Sequence, residues 1–195
     1  MLRSLGPEGA QRTAGDELTF ILPTADAETV RQKGFRNLAS LNWGETRQFD
    51  AGTGSVTITA VRARHSHNPL TAQALGIGNG YWIEFSQQSW KRTLYWTGDT
   101  MPTDDVLEEI RPRGVPDIMV PHVGGVGTAG PFGRISMGSG DVVRLASVLR
   151  PQFVLPIHHS TYAFYREPIS DLVAASKGKP YRLDLIAEGS EIIYP

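Results

Sequence analysis

The sequence predicts a mixed α/β (α+β) domain, and three observations support it. The first half of the chain reads mainly as strands, whereas beyond Gly98 the apolar period changes from 2 to 3.6 and strands alternate with helices. No linker or shift in composition divides the chain in two. At 195 residues one domain buries roughly 70% of the surface its unfolded form exposes, so it needs no disulfide or structural metal to hold a core.

Residues 1–16 carry three glycines and a proline without periodicity. They are expected to form an irregular tail or a truncated start, with the folded domain running over 17–195. The apolar run LTFILPT at 18–24 predicts a strand, and ADAETVRQKGF predicts a short helix closed by Gly34. Residues 37–43 and 55–63 predict strands, the second alternating Val56, Ile58 and Ala60 with Thr57, Thr59 and Val61. Residues 81–86 and 92–97 predict a strand pair across Gln87, Gln88 and Ser89. Val106, Leu107 and Ile110 form a short helical face that stops at Pro112, and DIMVP at 117–121 returns as a buried strand. A glycine-rich loop over 124–140 leads into a helix whose Val142, Leu145, Ala146 and Leu149 share one face until Pro151. FVLPI at 153–157 predicts another buried strand, 169–177 a last helix, and LDLIAEGSEIIY a closing hairpin.

Composition narrows the function. With 19 Lys+Arg against 20 Asp+Glu the formal charge is -1, which provides no electrostatic footprint for nucleic acid or an anionic membrane. No apolar run approaches the roughly 20 residues that span a bilayer, and the opening segment has no signal-like apolar stretch, so the expected compartment is the cytoplasm. The absence of cysteine excludes thiol nucleophiles, redox pairs and thiolate zinc sites. Any transition metal must therefore be held by imidazole and carboxylate, and there are five histidines to supply the former.

In open α/β sheets, ligands gather beyond the carboxyl ends of the strands. His65 follows SVTITAVRA, Asp99 follows RTLYWT, and His158 follows FVLPI. This set suits zinc, manganese or iron. Each residue also has a plainer reading: a histidine after a strand can be a hydrogen-bonded surface residue, and Asp99 can be a turn or a helix cap. Adjacent strand residues point to opposite faces, so only one of His158 and His159 faces a shared site. His122, at the end of DIMVP, reads as a pocket-lining donor or a structural residue. His67 shares the face of His65 only if the strand persists through Asn68-Pro69. The stretch GGVGTAGPFGR lacks the Gly-Lys-Ser/Thr ending of a phosphate-binding loop.

In order, VTITAVRARHSH, YWIEFSQQSWKRTLYWTGDT, DIMVPHVGG and RISMGSGDVVRLASVLRPQFVLPIHH, followed by TYAFYRE, resemble the metallo-β-lactamase superfamily, in particular its ascorbate-6-phosphate lactonase-like branch. The resemblance runs from about residue 18 to the end. It implies a metallo-β-lactamase-like αββα sandwich in which His65 binds one metal, Asp99 bridges two and His158 binds the second. The implied cofactor is one or two Zn2+, with Mn2+ or Fe2+ as alternatives. The implied reaction is hydrolysis of an ester, lactone or phosphoester bond of a small molecule by a metal-bound hydroxide, with Asp99 orienting and His122 meeting substrate. The family's His-x-His-x-Asp-His signature has no match: the only His-x-His is His65-Ser66-His67, and Pro69 and Leu70 stand where aspartate and histidine are required. The resemblance thus implies an N-terminally incomplete sandwich with partial metal occupancy. The alternative is a truncated or degenerate non-catalytic relative, acting as a binding or assembly module and prone to homo-oligomerise through exposed strand edges. Two segments stay open at this stage. The loop over 123–140 with Arg134 is a substrate lid or a solvated surface loop, and Tyr162, Phe164 and Tyr165 line a pocket or pack under the last helix.

Overall fold

A computed structural model describes residues 18–127, 133–160, 162–187 and 189–195. The expected tail over 1–16 and the middle of the glycine-rich loop lie outside the described residues. Strand β1 (Phe20–Pro23) and helix α1 (Ala27–Gln32) form where the sequence predicts them. Gly34 ends the helix at φ +96°, its N–H donating to the Arg31 carbonyl. Strand β2 (Leu38–Leu41) pairs in parallel with β1, setting Phe20 opposite Leu38.

The main sheet has seven strands. β3 (Thr46–Ala51) and β4 (Gly54–Ala63) make a hairpin, helix α2 (Pro69–Ala74) follows, and β5 (Gly78–Gln87) and β6 (Trp90–Trp96) make a second hairpin. Helix α3 (Asp104–Ile110) then crosses to β7 (Ile118–Val120), α4 (Ser139–Leu149) to β8 (Phe153–Val154), and α5 (Ile169–Ala175) to β9 (Arg182–Leu183). Strands β3 to β6 are antiparallel, β6 to β9 are parallel, and spatial order follows chain order.

Period-2 alternation assigns the two faces of this sheet. Val61, Trp82, Tyr95, Met119 and Val154 point to one side, where Val106, Leu107 and Ile110 of α3, the four apolar residues of α4, and Leu172 of α5 cover them. The α4 face read from the sequence is the buried one. Ile118, Val120 and Phe153 point the other way, with Leu94, Leu155, Ile157 and Tyr194 packed on them. The β1–β2 sheet lies on this second side against β5, where Asn79 Nδ2 donates to the Leu41 carbonyl at 2.9 Å. The layers are therefore helices, large sheet and small sheet.

The structure adds one strand, closes one open question and corrects one element. Thr46–Ala51 is a strand that was not anticipated, because five of its six residues are exposed and it lacks an apolar face. β4 ends at Ala63, short of Asn68-Pro69, in keeping with the doubt that this pair casts on a longer strand: the Asn68 side chain accepts from the Leu70 and Thr71 N–H groups and Pro69 opens α2. Residues 183–194 do not form a hairpin among the described residues. Arg182 and Leu183 instead extend the parallel ladder on β8, because the chain returns through α5 in the same direction as β8. Both sheet edges are blunt, β3 by Arg47 and Asp50 and β9 by its two-residue length. Among the described residues no helix is long and apolar enough to cross a membrane.

Candidate functional site

The sheet topology brings four loops together. β4 and β6 both run antiparallel to β5, and β7 and β8 run parallel to β6, so all four finish on the same edge of the sheet. The residues just past those ends include His65, Asp99, His122 and His158. The sequence reading placed three of them as ligands and His122 beside them.

Backbone hydrogen bonds hold these loops to one another. Arg64 N–H donates to Thr100 Oγ1 at 2.8 Å and Met101 N–H to the Arg64 carbonyl at 2.6 Å, which joins the loop of His65 to that of Asp99. Thr97 N–H donates to the Val120 carbonyl, and Thr97 Oγ1 accepts from His122 N–H at 3.1 Å while donating to the Gly98 carbonyl. Beyond β7 and β8 the pairing persists as a bridge between His122 and Ile157, with Val123 N–H on the Ile157 carbonyl at 2.9 Å. That register sets the imidazoles of His122 and His158 side by side, centroids 5.4 Å apart and planes 18° from parallel. Trp96 meets the His122 ring edge-on at 5.1 Å.

Asp99 is the hub. Its Oδ1 lies 3.0 Å from His122 Nδ1 and 3.6 Å from His158 Nε2. Burial pushes its pKa up, but the hydrogen bond from His122 and the nearby imidazoles of His158, His122 and His65 outweigh burial and hold it below the ordinary value. Asp99 does not cap α3, which begins at Asp104. His158 Nδ1 sits 3.0 Å from the Val123 carbonyl, which only accepts, so Nδ1 carries a proton, while Nε2 faces Asp99. His158 also adopts φ +60°, a left-handed conformation disfavoured for a residue with a Cβ. Strain of this kind concentrates at functional sites.

The remaining candidates separate. His159 Nδ1 lies 2.8 Å from Ser160 Oγ, and because His158 is left-handed beyond the end of β8, strand alternation does not decide between the two histidines. His67 is exposed and lines a cavity of about 370 Å³ with Met101, Arg134 and Arg166. Arg134 is not poised for a ligand, because Glu167 at 2.9 Å and Asp141 at 3.4 Å neutralise it. The Tyr165 ring lies against that of His158 at 5.0 Å, tilted by 52°, and burial, then the charge of Asp99, push its phenol pKa up. Sequence reasoning missed Thr97, Thr100 and Glu167. The two threonines in YWTGDT carried a signal, being polar residues at the end of a strand otherwise reading as buried.

The donor types suit a first-row metal, and the buried Nε2 of His122 has no hydrogen-bond partner. The number of donors falls short. Among the described residues no group of three or more His, Cys, Asp or Glu side chains is arranged to hold a metal ion. Asp99 Oδ1 is instead engaged by His122.

A sequence profile described as the beta-lactamase superfamily domain matches residues 10–159, a span that holds all four residues. The chain belongs to that superfamily. A metal-dependent hydrolase of Archaeoglobus fulgidus is 27% identical over 173 residues, covering 87% of this chain and 64% of the relative, so the chain spans less than two thirds of that protein's length. Among solved structures, an isothiocyanate hydrolase from Delia radicum gut bacteria superposes with a TM-score of 0.77 at 24% identity, over 96% of this chain and 71% of the other. A Veillonella parvula protein described as a possible metal-dependent hydrolase gives 0.73 at 21% identity, over 93% and 68%. At these identities the two structures bear on the fold, which is the metallo-β-lactamase fold that the sequence resemblance implies.

Proposed function

We propose that this superfamily member contributes to a metal-dependent hydrolase site in which Asp99, His158 and His65 are ligands and His122 holds Asp99 in place. The observation that carries the reading is the meeting of Asp99 with His122 and His158 at the edge where β4, β6, β7 and β8 all end. Zinc fits these donors, as do manganese and iron. An ion held by these residues would supply Lewis-acid chemistry at a substrate or water oxygen.

The protein's own groups do the rest. The Val123 carbonyl fixes the tautomer of His158, leaving Nε2 as the donor. His122 Nδ1–H fixes one oxygen of Asp99 and leaves Oδ2 to point elsewhere. Among the described residues these side chains are not gathered as a group of three or more, so holding an ion would require them to converge on it. The substrate class is an ester, lactone or phosphoester of a small molecule, in line with the lactonase-like resemblance of the motifs. Superfamily membership alone does not select among these chemistries.

The test is elemental analysis of the purified chain together with hydrolysis of a γ-lactone, 4-nitrophenyl acetate and bis(4-nitrophenyl) phosphate, before and after chelation. Asp99→Ala is expected to remove bound metal and lower turnover by roughly a hundredfold or more, and His122→Ala to cost roughly ten- to a hundredfold. A folded chain that takes up no zinc, manganese or iron and hydrolyses none of these would favour the second reading, a binding or assembly module. The incomplete ligand group is the observation on that side.

A further inference from the structure

The aromatic residues of TYAFYRE do not pack under α5. Tyr162 and Phe164 are 53% and 50% exposed, their rings 5.1 Å apart and 7° from parallel. Tyr165 stands perpendicular to both, at 78° and 75°, and its ring also contacts His158. The three rings form a floor and a wall that lead to the candidate site.

Stability of the loop does not require this exposed apolar surface, because polar contacts already hold its backbone. The N–H groups of Arg166 and Glu167 both donate to the Gly124 carbonyl, at 2.9 and 3.2 Å. The Glu167 carboxylate accepts from Ser139 N–H at 2.7 Å and Ser139 Oγ at 3.0 Å at the start of α4, and pairs with Arg134. Gly124, at φ +119°, has no Cβ, and one would press against the Tyr165 ring at 2.9 Å. The shelf is thus preorganised while its outer faces stay open.

A second observation supplies the charge. A cavity of about 380 Å³ beside the shelf is lined by Tyr162, Tyr165, Arg166 and Glu167 among others. Among the described residues Arg166 has no ion-pair partner, whereas the neighbouring Glu167 is fully engaged. Flat rings meeting at a right angle favour a planar aromatic group, and a guanidinium without a counter-charge favours an anion.

We propose that Tyr162, Phe164, Tyr165 and Arg166 form a recognition subsite for an aromatic anion, the aryl carboxylate-like part of the substrate. The inference rests on the hydrolase reading only for calling that ligand a substrate.

Binding is tested with 2-naphthoate, cyclohexanecarboxylate and 2-naphthol in EDTA, by NMR shift titration of the full chain, so that neither a metal nor turnover enters the result. The naphthoate is expected to bind about tenfold more tightly than either comparison compound, with shifts centred on 162–167. The double variant Tyr162→Ala/Phe164→Ala should lose about tenfold, and the bulk-preserving Tyr162→Leu/Phe164→Leu a similar amount. Arg166→Ala should lose about five- to tenfold, with partial recovery in Arg166→Lys. Equal binding of all three probes, or undiminished binding in variants that keep the wild-type melting temperature, overturns the proposal. A dimer abolished by the double variant also overturns it, since a second copy would then be what covers the rings. If instead naphthoate binds as expected and the chain shows no metal-dependent turnover, the subsite stands and the hydrolase reading falls.

Discussion

Gly98 directly precedes Asp99 in the turn that follows β6. Its φ of +62° lies in the left-handed region, and a Cβ there would collide with the Asn79 carbonyl of the neighbouring strand. Gly98→Ala must therefore either shift β5 or rotate the Gly98 peptide, and both movements displace Asp99. The substitution should destabilise the fold by roughly 2–3 kcal/mol, measured by urea denaturation. An unchanged midpoint would contradict the geometry. Gly98, Asp99 and Thr100 illustrate how far single residues can be read in advance. A turn was legible, but what the turn does depended on His122, 23 residues away. Likewise His158 could be preferred over His159 only in combination with its strand, and its left-handed backbone left no trace in the sequence.

Among the elements, β4 and α3 are joined by charge. Arg62 reaches Glu109 at 3.2 Å and Asp105 at 3.3 Å, and Arg64 also pairs with Asp105. Partial burial pushes the Asp105 pKa up, but a hydrogen bond from Thr103 and the Arg64 and Arg62 guanidinium groups outweigh it and the net shift is downward. A carboxyl whose folded pKa is depressed stabilises the fold above its unfolded pKa, and that contribution is lost as pH falls through the folded value. The melting temperature of wild type should thus exceed that of Asp105→Asn near neutrality, with the gap closing below pH 4, the ordinary carboxylate range. The gap should be small and should shrink in salt, since both arginines are partly solvated. A gap that widened on acidification would contradict the assignment.

The elements with a strong apolar period, α3, α4 and β4 to β7, were legible. β3 and α2, which lack it, were not. β3 turns over at Gly52-Thr53 without burying a face, and α2 is announced only by its Asn-Pro cap, which is a helix start as readily as a strand stop. β9 was misread because the alternation of Leu183 and Leu185 marks a strand without saying which neighbour it will join.

At the scale of the whole molecule, one core runs from Val61 on β4 to Leu172 on α5, and the two-stranded sheet is fastened to β5 by Asn79 and by Trp43 Nε1 donating to the Gly78 carbonyl at 2.9 Å. The described domain should therefore unfold in a single transition, with far-ultraviolet circular dichroism and tryptophan fluorescence giving coincident urea curves. A separate early loss of β1–β2 would show as non-coincidence. This cooperativity also limits what a sequence can reveal about the site. That four loops share an edge follows from strand order, a property of long-range pairing, whereas each residue type and its position after a strand could be read locally.

The opposite edge of the sheet carries the hairpin turn at Gln88-Ser89, exposed and separated from Asp99 by the length of β6, on the order of 20–25 Å. Because the chain has no cysteine, Ser89→Cys would introduce a single thiol among the described residues. A fluorophore or surface tether attached there leaves the four-loop edge facing solution, which suits the protein to immobilised or single-molecule assays with one defined orientation.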